Sequence, residues 1–532
     1  MRLWKISSFV AFIAYAGVSI VFLFPILRHP FSTLFDPYDG LFITWTMDWV
    51  IRAFTTVPTL LFHAPIFSPY RYALTFSDPM FTGALLALPF VLLTHQPIIA
   101  STINLFLATM FTAWFSFLFL NIHLGDAKAA FLGGLYAGFS VTHLHYLGHL
   151  HTYMVQFIPL GMYAWMRFAR EEKLRWLILL AVCFFAQVIN SPFTGYVFIG
   201  VLSIFLFEKK SRSMMKKYWK KIGVIAFVTL GITALIYLPY IYSAKLYNSY
   251  RTIRDAAHFS LSIDELFDKQ RISMLAVVIF LWSAHIFIGK KRWKDSFLCG
   301  TIIVACAGMV LALGPALKFQ TKTVKIPFPI SFPIPLPYAV LYEIAPGFRA
   351  FRTPSRWLVL THFSLAILLA YMTHGMSRRR WIMLAVVLSA TFYLESQQLR
   401  HTGRFSPTPP PVYTWLQQMR YTSVAHVPTY LYTMGSFGQK EVERMVYSLD
   451  GVPGYALYNG YSGFAPRERV DMYGKIFTEF PSEETIRELQ RSGVQAVVLH
   501  LDEMKPDAVD RAEKLTLPVV YRDAITKVLE IQ

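Results

Sequence analysis

Long apolar segments, separated by short basic stretches, dominate residues 8–394 of this chain. The first, residues 8–27, follows Arg2 and Lys5 and runs through Pro25 into bulky residues, unlike the small-residue cleavage site of a secretory signal. We therefore expect a retained membrane span there. Of the 532 residues, 55% are hydrophobic and only 15% are charged, which excludes an ordinary soluble domain of this size.

Four basic stretches predict how the spans are oriented, because positively charged loops face the cytoplasm. They are Arg167–Arg175, Lys209–Lys221, Lys290–Lys294 and Arg378–Arg380. Each neighbouring pair must enclose an even number of spans. The chain is then predicted to be a polytopic α-helical membrane protein with about eleven transmembrane helices, at residues 8–27, 98–121, 129–146, 152–167, twice within 176–207, and at 222–241, 273–288, 296–314, 355–373 and 381–394.

This topology predicts three domains. Residues 1–395 form the transmembrane domain, with residues 28–97 as the first outside loop, and residues 81–94 are short enough to be a juxtamembrane or re-entrant helix. Residues 396–411 form a Pro-rich linker, and residues 412–532 a small α/β domain. We expect both to lie outside the cytoplasmic (inner) membrane. An amphipathic helix at 482–492 and a strand at 494–500 are predicted within that domain.

The basic loops between the apolar segments explain the net charge of +19. We therefore expect the chain to contact membrane lipids and not nucleic acid. The three cysteines, Cys183, Cys299 and Cys306, lie within apolar segments without metal-ligand spacing. We therefore assign them neither a disulfide framework nor a zinc site.

An acidic cluster, Asp36-Pro-Tyr38-Asp39-Gly40, directly follows the first span. A carboxylate at a membrane–water boundary can accept a proton from a hydroxyl group, and surroundings with little water raise its pKa towards the useful range. The alternative for Asp36 is a turn or helix-capping residue. Tyr38 and Trp45 are candidates for stacking on a substrate ring, with an interfacial aromatic belt as the alternative. Asp78 is a further acid on the same predicted face.

Histidines form a second cluster, in which His143 and His145 precede Gly148-His149-Leu150-His151. Alternating histidines are able to bind a metal or hold a substrate hydroxyl. In a continuous helix His145 and His149 would share a face, whereas His149 and His151 would not. The alternative is interfacial histidines that are hydrogen-bonded to water or backbone.

Arginines form the third cluster, Arg349-Ala-Phe-Arg352-Thr353-Pro354-Ser355-Arg356, just before a predicted span. Thr353 suits an N-cap and Pro354 a first helical position. Arginines beside a helix N-terminus oppose the helix dipole unless an anion binds there, and their forked donors match a phosphate. The alternative is that they snorkel to lipid headgroups.

At these residues the sequence resembles the glycosyltransferase C superfamily, especially bacterial membrane proteins related to polyprenyl-phosphate-sugar-dependent glycosyltransferases. The segments that carry the resemblance are Asp36–Gly40 with Trp45 and Trp49, Ala64–Tyr70, His145–His149, Arg352–Arg356 and Asn459–Gly463. The resemblance implies that the first outside loop carries juxtamembrane helices and an acidic catalytic residue, which falls on Asp39. It also implies a polyprenyl-phosphate-linked sugar as the donor.

Members of the superfamily that use a metal have an acidic pair in the second outside loop, where this chain has His149 and His151. We therefore assign no cofactor, and a divalent metal remains an open alternative. The sequence predicts an inverting glycosyltransferase that moves a sugar to a hydroxyl of a glycan or lipid acceptor. Asp39 is the predicted catalytic base, and the predicted substrate-binding residues are Arg352, Arg356, Asp36, Asp78, His149, His151, Tyr38 and Trp45.

The alternative function class is a transporter of lipid-linked sugars or a membrane scaffold. A transporter would place ionisable residues near the middle of the membrane. The predicted spans contain few of them: Gln187 and Asn190 are polar but uncharged, and His362 lies within a span.

Overall fold

The computed structural model describes residues 7–267, 278–279, 281–282, 295–327, 331–397, 402–430, 437–449 and 454–531. The chain forms two compact units. We call the segments Met1–Arg28, Thr102–Ile236 and Tyr250–His401 the helical unit. We call the segments His29–Ser101, Tyr237–Ser249 and Thr402–Gln532 the mixed unit.

Helices make up most of the chain up to residue 397. They are Ser8–Leu27, Asp39–Thr56, Phe81–Thr94, Ile98–Leu124, Ala127–Phe139, Val141–Leu144, Leu150–Tyr153, Phe157–Glu171, Leu174–Asn190, Pro192–Leu202, Lys209–Lys217, Trp219–Leu246, Ile253–His258, Ser296–Ala312, Pro337–Ile344, Leu358–Thr373 and Arg378–Gln397. Two short antiparallel pairs follow Ala312: Lys318–Phe319 with Lys322–Thr323, and Lys325–Ile326 with Phe332–Pro333.

Four of the described helices are long and apolar enough to cross a membrane: Ser8–Leu27, Ile98–Leu124, Trp219–Leu246 and Pro354–Thr373. A fifth span results if Pro192–Leu206 and Lys209–Lys217, bent by 106°, are counted as one. The chain is therefore a polytopic helical membrane protein. The larger number of spans stays a prediction, and the expected span at 273–288 and the basic stretch at 290–294 fall almost wholly outside the described residues.

The segment predicted as one span at 129–146 differs from expectation. Asp126 caps its first helix by accepting the N–H groups of Lys128 and Ala129, at 3.0 and 3.2 Å, but that helix ends at Phe139. Ser140 has extended backbone angles (φ −69°, ψ 152°), and two short helices follow. The next long helix starts at Phe157 instead of residue 152.

Glycines allow close packing within the helical unit. A Cβ atom on Gly138 would lie 2.8 Å from the Ala113 Cβ, and one on Gly133 would lie 2.9 Å from the Ala366 carbonyl oxygen. Small residues at such positions let neighbouring helix backbones approach one another, as in other membrane proteins.

A five-stranded sheet forms the centre of the mixed unit, in the order Val519–Arg522, Thr526–Glu530, Ala496–His500, Ser423–Val427, Ala456–Leu457. Ser423–Val427 pairs in parallel with both of its neighbours, and the other pairings are antiparallel. All residues of Ser423–Val427 are buried, because both faces of this strand are covered. A separate antiparallel pair joins Thr33–Phe35 to Thr402–Arg404.

Helices of the C-terminal part alternate with these strands: Pro411–Gln418, Phe437–Ser448, Arg467–Glu479, Glu483–Arg491 and Pro506–Glu513. The structure has the predicted amphipathic helix at Glu483–Arg491, where Ser482 and Thr485 form a capping box. The mixed unit also contains residues 29–101, so the domain boundaries at 396 and 411 stay predictions.

Candidate functional site

Asp36 lies in the mixed unit at the start of the Asp39–Thr56 helix. Its Oδ1 accepts the backbone N–H groups of Tyr38 and Asp39, at 2.9 and 3.3 Å. Its backbone is left-handed (φ 61°), a conformation that Asp tolerates better than most residues. Asp36 therefore acts as a turn and capping residue here, and its role in substrate binding stays a prediction.

Asp39 is the first residue of the same helix and is half-buried. The Tyr461 hydroxyl donates a hydrogen bond to Asp39 Oδ1, at 2.7 Å. The Tyr461 ring in turn packs edge-on against Phe42, with 5.5 Å between ring centroids. A carboxylate in the first turn of a helix is favoured by the helix dipole. Asp39, the predicted catalytic base, is therefore positioned by the start of this helix and by the Tyr461 hydroxyl.

The tryptophans that follow Asp39 are enclosed by the mixed unit. Trp45 is 2% exposed and donates its indole N–H to the Met445 carbonyl oxygen, at 3.1 Å. Trp49 is 4% exposed and donates to the Leu61 carbonyl oxygen, at 2.9 Å. Stacking on a substrate requires an exposed ring face. Because Trp45 is buried, it is a structural residue and does not have the predicted role of stacking on a substrate ring. Tyr38 is half-buried.

Asp78 is also half-buried in the mixed unit, where it follows the short helix Ala73–Phe76. Its charge interacts with the phenol groups of Tyr237 and Tyr240. Its substrate-binding role stays a prediction.

Two segments that carry the family resemblance, Ala64–Tyr70 and Asn459–Gly463, meet within the mixed unit. The N–H of Phe67 donates to the Asn459 carbonyl oxygen, at 2.9 Å, and that of Ser68 to the Leu457 carbonyl oxygen, at 2.8 Å. A Cβ atom on Gly460 would lie 2.9 Å from the Phe67 ring, so this approach requires glycine. Together with the Asp39–Tyr461 bond, these contacts bring three of the five segments together.

Sequence reasoning missed Tyr461 and Arg469 as site residues. Tyr461 lies within a segment that carries the resemblance, which was the available signal. Arg469 is buried and donates to the Ser68 carbonyl oxygen, at 2.7 Å, while its guanidinium lies 3.4 Å from the centroid of the Tyr458 ring. No motif marked it.

The histidine cluster lies in the helical unit. His143 is buried, stacks on Tyr153 with 4.1 Å between ring centroids, and has both ring nitrogens within 3.1 Å of the Gly138 and Tyr153 carbonyl oxygens. His149 precedes the short helix Leu150–Tyr153, and its ring centroid lies 5.8 Å from that of His151. The condition for His145 and His149 to share a helix face is not met, because the chain turns between residues 145 and 149.

The remaining two family segments meet in the helical unit, where the Tyr146 hydroxyl donates to the Ser355 carbonyl oxygen, at 3.2 Å. Pro354 begins a helical turn as predicted, but the turn Pro354–Trp357 is a 3-10 helix that precedes the α-helix Leu358–Thr373. Thr353 makes no side-chain capping bond.

Arg352 and Arg356 are both half-buried at this helix start. The Arg352 guanidinium carbon lies 5.3 Å from the centroid of the Phe259 ring. Burial alone would raise the pKa of Asp255, but hydrogen bonds from Thr252 and the charges of Arg251 and Arg352 lower it. Arg349 differs, because it forms an exposed ion pair with Glu343.

No protein-family model matches the chain, and no curated protein matches it significantly in sequence. Its fold, however, is similar to solved structures. The arabinofuranosyltransferase AftD from Mycobacteria superposes with a TM-score of 0.59 at 13% identity, over 98% of this chain and 41% of that one. This chain thus spans about two fifths (41%) of AftD. The Archaeoglobus fulgidus oligosaccharyltransferase gives 0.53 at 11% identity, over 94% and 70% of the two chains.

ArnT from Cupriavidus metallidurans, solved with bound undecaprenyl phosphate, gives a TM-score of 0.51 at 13% identity, over 98% of both chains. The chain has the glycosyltransferase C fold. The family resemblance is thereby confirmed at the level of fold. The superpositions show the fold alone, because at identities of 11–13% the chemistry has to be argued from the residues.

Proposed function

We propose that this protein is a membrane glycosyltransferase that moves a sugar from a polyprenyl-phosphate donor to a hydroxyl of a glycan or lipid acceptor. The reaction takes place on the outer face of the cytoplasmic membrane. The shared fold supports the proposal, and the structure of ArnT with undecaprenyl phosphate supports the donor class. The observation that carries it is the half-buried Asp39, whose carboxylate is oriented by the Tyr461 hydroxyl.

In the proposed reaction Asp39 is the general base. The oxygen of the acceptor hydroxyl attacks the anomeric carbon of the donor sugar, and Asp39 takes the proton of that hydroxyl. The bond from the anomeric carbon to the phosphate oxygen breaks, and its electron pair stays with the lipid phosphate. A single displacement of this kind inverts the anomeric configuration. Tyr461 positions the carboxylate without entering the reaction.

Arg352 and Arg356 bind the donor phosphate in this proposal. Negative charge grows on the phosphate oxygen as the sugar leaves, and guanidinium groups held close to it stabilise that charge. Their forked N–H donors suit phosphate oxygens better than a lysine does. His149 and His151 hold substrate hydroxyls in the same helical unit. We assign no cofactor to the reaction, and chelation with EDTA is the measurement that decides whether a divalent metal takes part.

The alternative is a transporter of lipid-linked sugars, which would use ionisable groups among the spans. The described part of the helical unit places two such groups together, because His143 and His362 have ring centroids 5.4 Å apart. The ring nitrogens of His362 lie 3.2 Å from the Ser140 hydroxyl and 2.9 Å from the Ala137 carbonyl oxygen. Local hydrogen bonds thus account for both rings, which favours the transferase over the transporter.

The decisive experiment compares Asp39→Asn with Asp36→Asn in purified protein in nanodiscs. A panel of undecaprenyl-phosphate sugars is supplied, and the release of undecaprenyl phosphate is measured. Asparagine cannot accept the proton, so Asp39→Asn should lower turnover by roughly a hundred- to ten-thousand-fold while donor binding persists. Asp36→Asn keeps the oxygen that accepts the Tyr38 and Asp39 N–H groups, so its effect should be small. Equal turnover of Asp39→Asn and the parent would refute the assignment.

The proposed location has its own test. Alkaline phosphatase is active only outside the cytoplasm, so its fusion after residue 405 should be active. Fusion after residue 171, in the first basic stretch, is the matched control and should be inactive. Activity of a cytoplasm-dependent reporter after residue 405 would reverse the predicted orientation.

A further inference from the structure

A groove of about 820 Å³ opens in the mixed unit, and nothing above assigns it a role. One wall comes from residues 57–71, and the other from residues 416–422 and 454–456. Asp39, Asp36 and Tyr461 do not line it. Its volume lies within the range of roughly 300–1,000 Å³ that is typical of sites for small organic ligands.

The charge of this groove is positive. Arg71 and Arg420 are exposed, one on each wall, and none of the lining residues that the structure describes is an aspartate or glutamate. Neither guanidinium forms an ion pair with any described carboxylate. Burial and the charge of Arg71 lower the pKa of His63, so this third basic group is neutral at pH 7. The two arginines therefore set the charge that a ligand meets.

Flat side chains lie between the arginines. Tyr70 and Tyr421 line the groove and are half-buried, while Gln417 and Gln418 are exposed. Rings of this kind pack against the C–H faces of sugars, and amides and guanidinium groups donate to hydroxyl and carboxylate oxygens. The combination suits a carbohydrate that bears negative charge.

Both walls are held in place by hydrogen bonds, so the groove is formed before a ligand arrives. The Leu457 N–H donates to the Pro65 carbonyl oxygen, at 3.0 Å. On the other wall, the N–H of Thr422 donates to Gln495 Oε1, at 2.6 Å. The Arg469 guanidinium lies 5.2 Å from the centroid of the Tyr70 ring and fixes it from within the unit. Preorganised walls reduce the entropy lost on binding.

We propose that this groove binds an anionic oligosaccharide, with Arg71 and Arg420 contacting its carboxylate or phosphate groups and Tyr70 and Tyr421 contacting its rings. The binding does not depend on the proposed function. Only the further step, that this oligosaccharide is the acceptor, rests on it. An anionic lipid headgroup is the less favoured ligand, because clusters of about four to eight basic residues are typical of lipid recognition and this groove has two.

The test uses the full chain in nanodiscs of neutral lipid, with tetragalacturonate as the probe. This probe has a carboxylate on every ring, and its methyl ester has the same rings without the charge. Tetragalacturonate should bind at least about tenfold more tightly than the ester, and Arg71→Gln and Arg420→Gln should each weaken it about tenfold. Tyr70→Ala should weaken both probes. Arg467→Gln removes an exposed arginine outside the groove and should bind like the parent.

Equal binding of the ester and the acid would overturn the proposal, and so would parental affinity in the double variant Arg71→Gln/Arg420→Gln. If citrate competes as effectively as tetragalacturonate, the groove binds anions in general, and the proposal is overturned as well. Displacement of tetragalacturonate by a soluble short-chain anionic phospholipid, but not by its zwitterionic counterpart, would identify a lipid-headgroup site instead. Asp39→Asn should bind the probe like the parent. If that variant also keeps full turnover, the proposed function fails while the groove assignment stands.

Discussion

The helical unit and the mixed unit differ in how they accommodate buried charge. In the described part of the helical unit, Lys318 is the one buried Lys, Arg, Asp or Glu, and it donates to the Ala257 and Ser260 carbonyl oxygens. The described part of the mixed unit buries five such residues: Asp48, Glu441, Arg444, Arg469 and Lys527.

Arg444 lies at the centre of the largest of these arrangements. Its guanidinium donates to Glu441, at 3.1 Å, to Glu503, at 2.6 Å, and to the Pro428 carbonyl oxygen, at 2.7 Å. The helical unit uses neutral groups instead, such as Thr361, whose hydroxyl donates to the Ala305 carbonyl oxygen, at 2.9 Å. Lipid offers no water to solvate a charge, so a helical membrane unit favours small neutral polar groups, whereas an α/β unit can use charged networks.

The largest effect on stability is expected from a substitution that breaks the Arg444 network. Arg444→Met leaves the Glu441 carboxylate buried without its cation, which should destabilise the mixed unit by roughly 3–5 kcal/mol. Arg349→Met is the control in the helical unit, because it removes an exposed ion pair with Glu343 worth about 0–1 kcal/mol. Hydrogen exchange of the strand Ser423–Val427 measures the first change. Equal protection in both variants would mean that buried charge does not distinguish the units.

A second prediction concerns the arginines of the helical unit. Arg352→Lys/Arg356→Lys keeps both charges but loses the forked donor geometry, so affinity for undecaprenyl phosphate should fall about tenfold, and the double alanine variant should fall further. Arg349→Lys is the control, since Arg349 already pairs with Glu343. Parental affinity in both double variants would show that these arginines do not bind the donor.

A smaller effect is expected from the mixed unit, where Tyr461→Phe removes the hydrogen bond to Asp39. Turnover should fall several-fold, up to about tenfold, at unchanged donor affinity, because a bond to a charged group is lost while the carboxylate stays. Tyr521→Phe is the matched control, since the Tyr521 hydroxyl donates to Asp523, at 2.9 Å, elsewhere in the same unit. If both phenylalanine variants have the same turnover, Tyr461 does not position the base.

Local hydropathy patterns predicted several of the helices. Apolar runs of bilayer length predicted the helices Ser8–Leu27 and Trp219–Leu246, and an amphipathic pattern predicted a helix at 482–492, which the structure has at Glu483–Arg491. The prediction was wrong where a local pattern had two solutions. Residues 129–146 are apolar enough for one helix, yet the chain turns at Ser140, and the His143 ring nitrogens face the carbonyl oxygens of Gly138 and Tyr153.

The sequence by itself determined that the chain is a helical membrane protein, that an acidic cluster follows its first apolar helix and that arginines precede the Leu358–Thr373 helix, because these follow from hydropathy and short motifs. Only the tertiary structure decided their partners. Asp39 and Tyr461 are 422 positions apart, and Tyr146 and Ser355 are 209 positions apart. The burial of Trp45 could not be predicted from the sequence either. Such contacts depend on how segments far apart in the sequence pack against each other. The periodicity and residue spacing within one segment do not predict that packing.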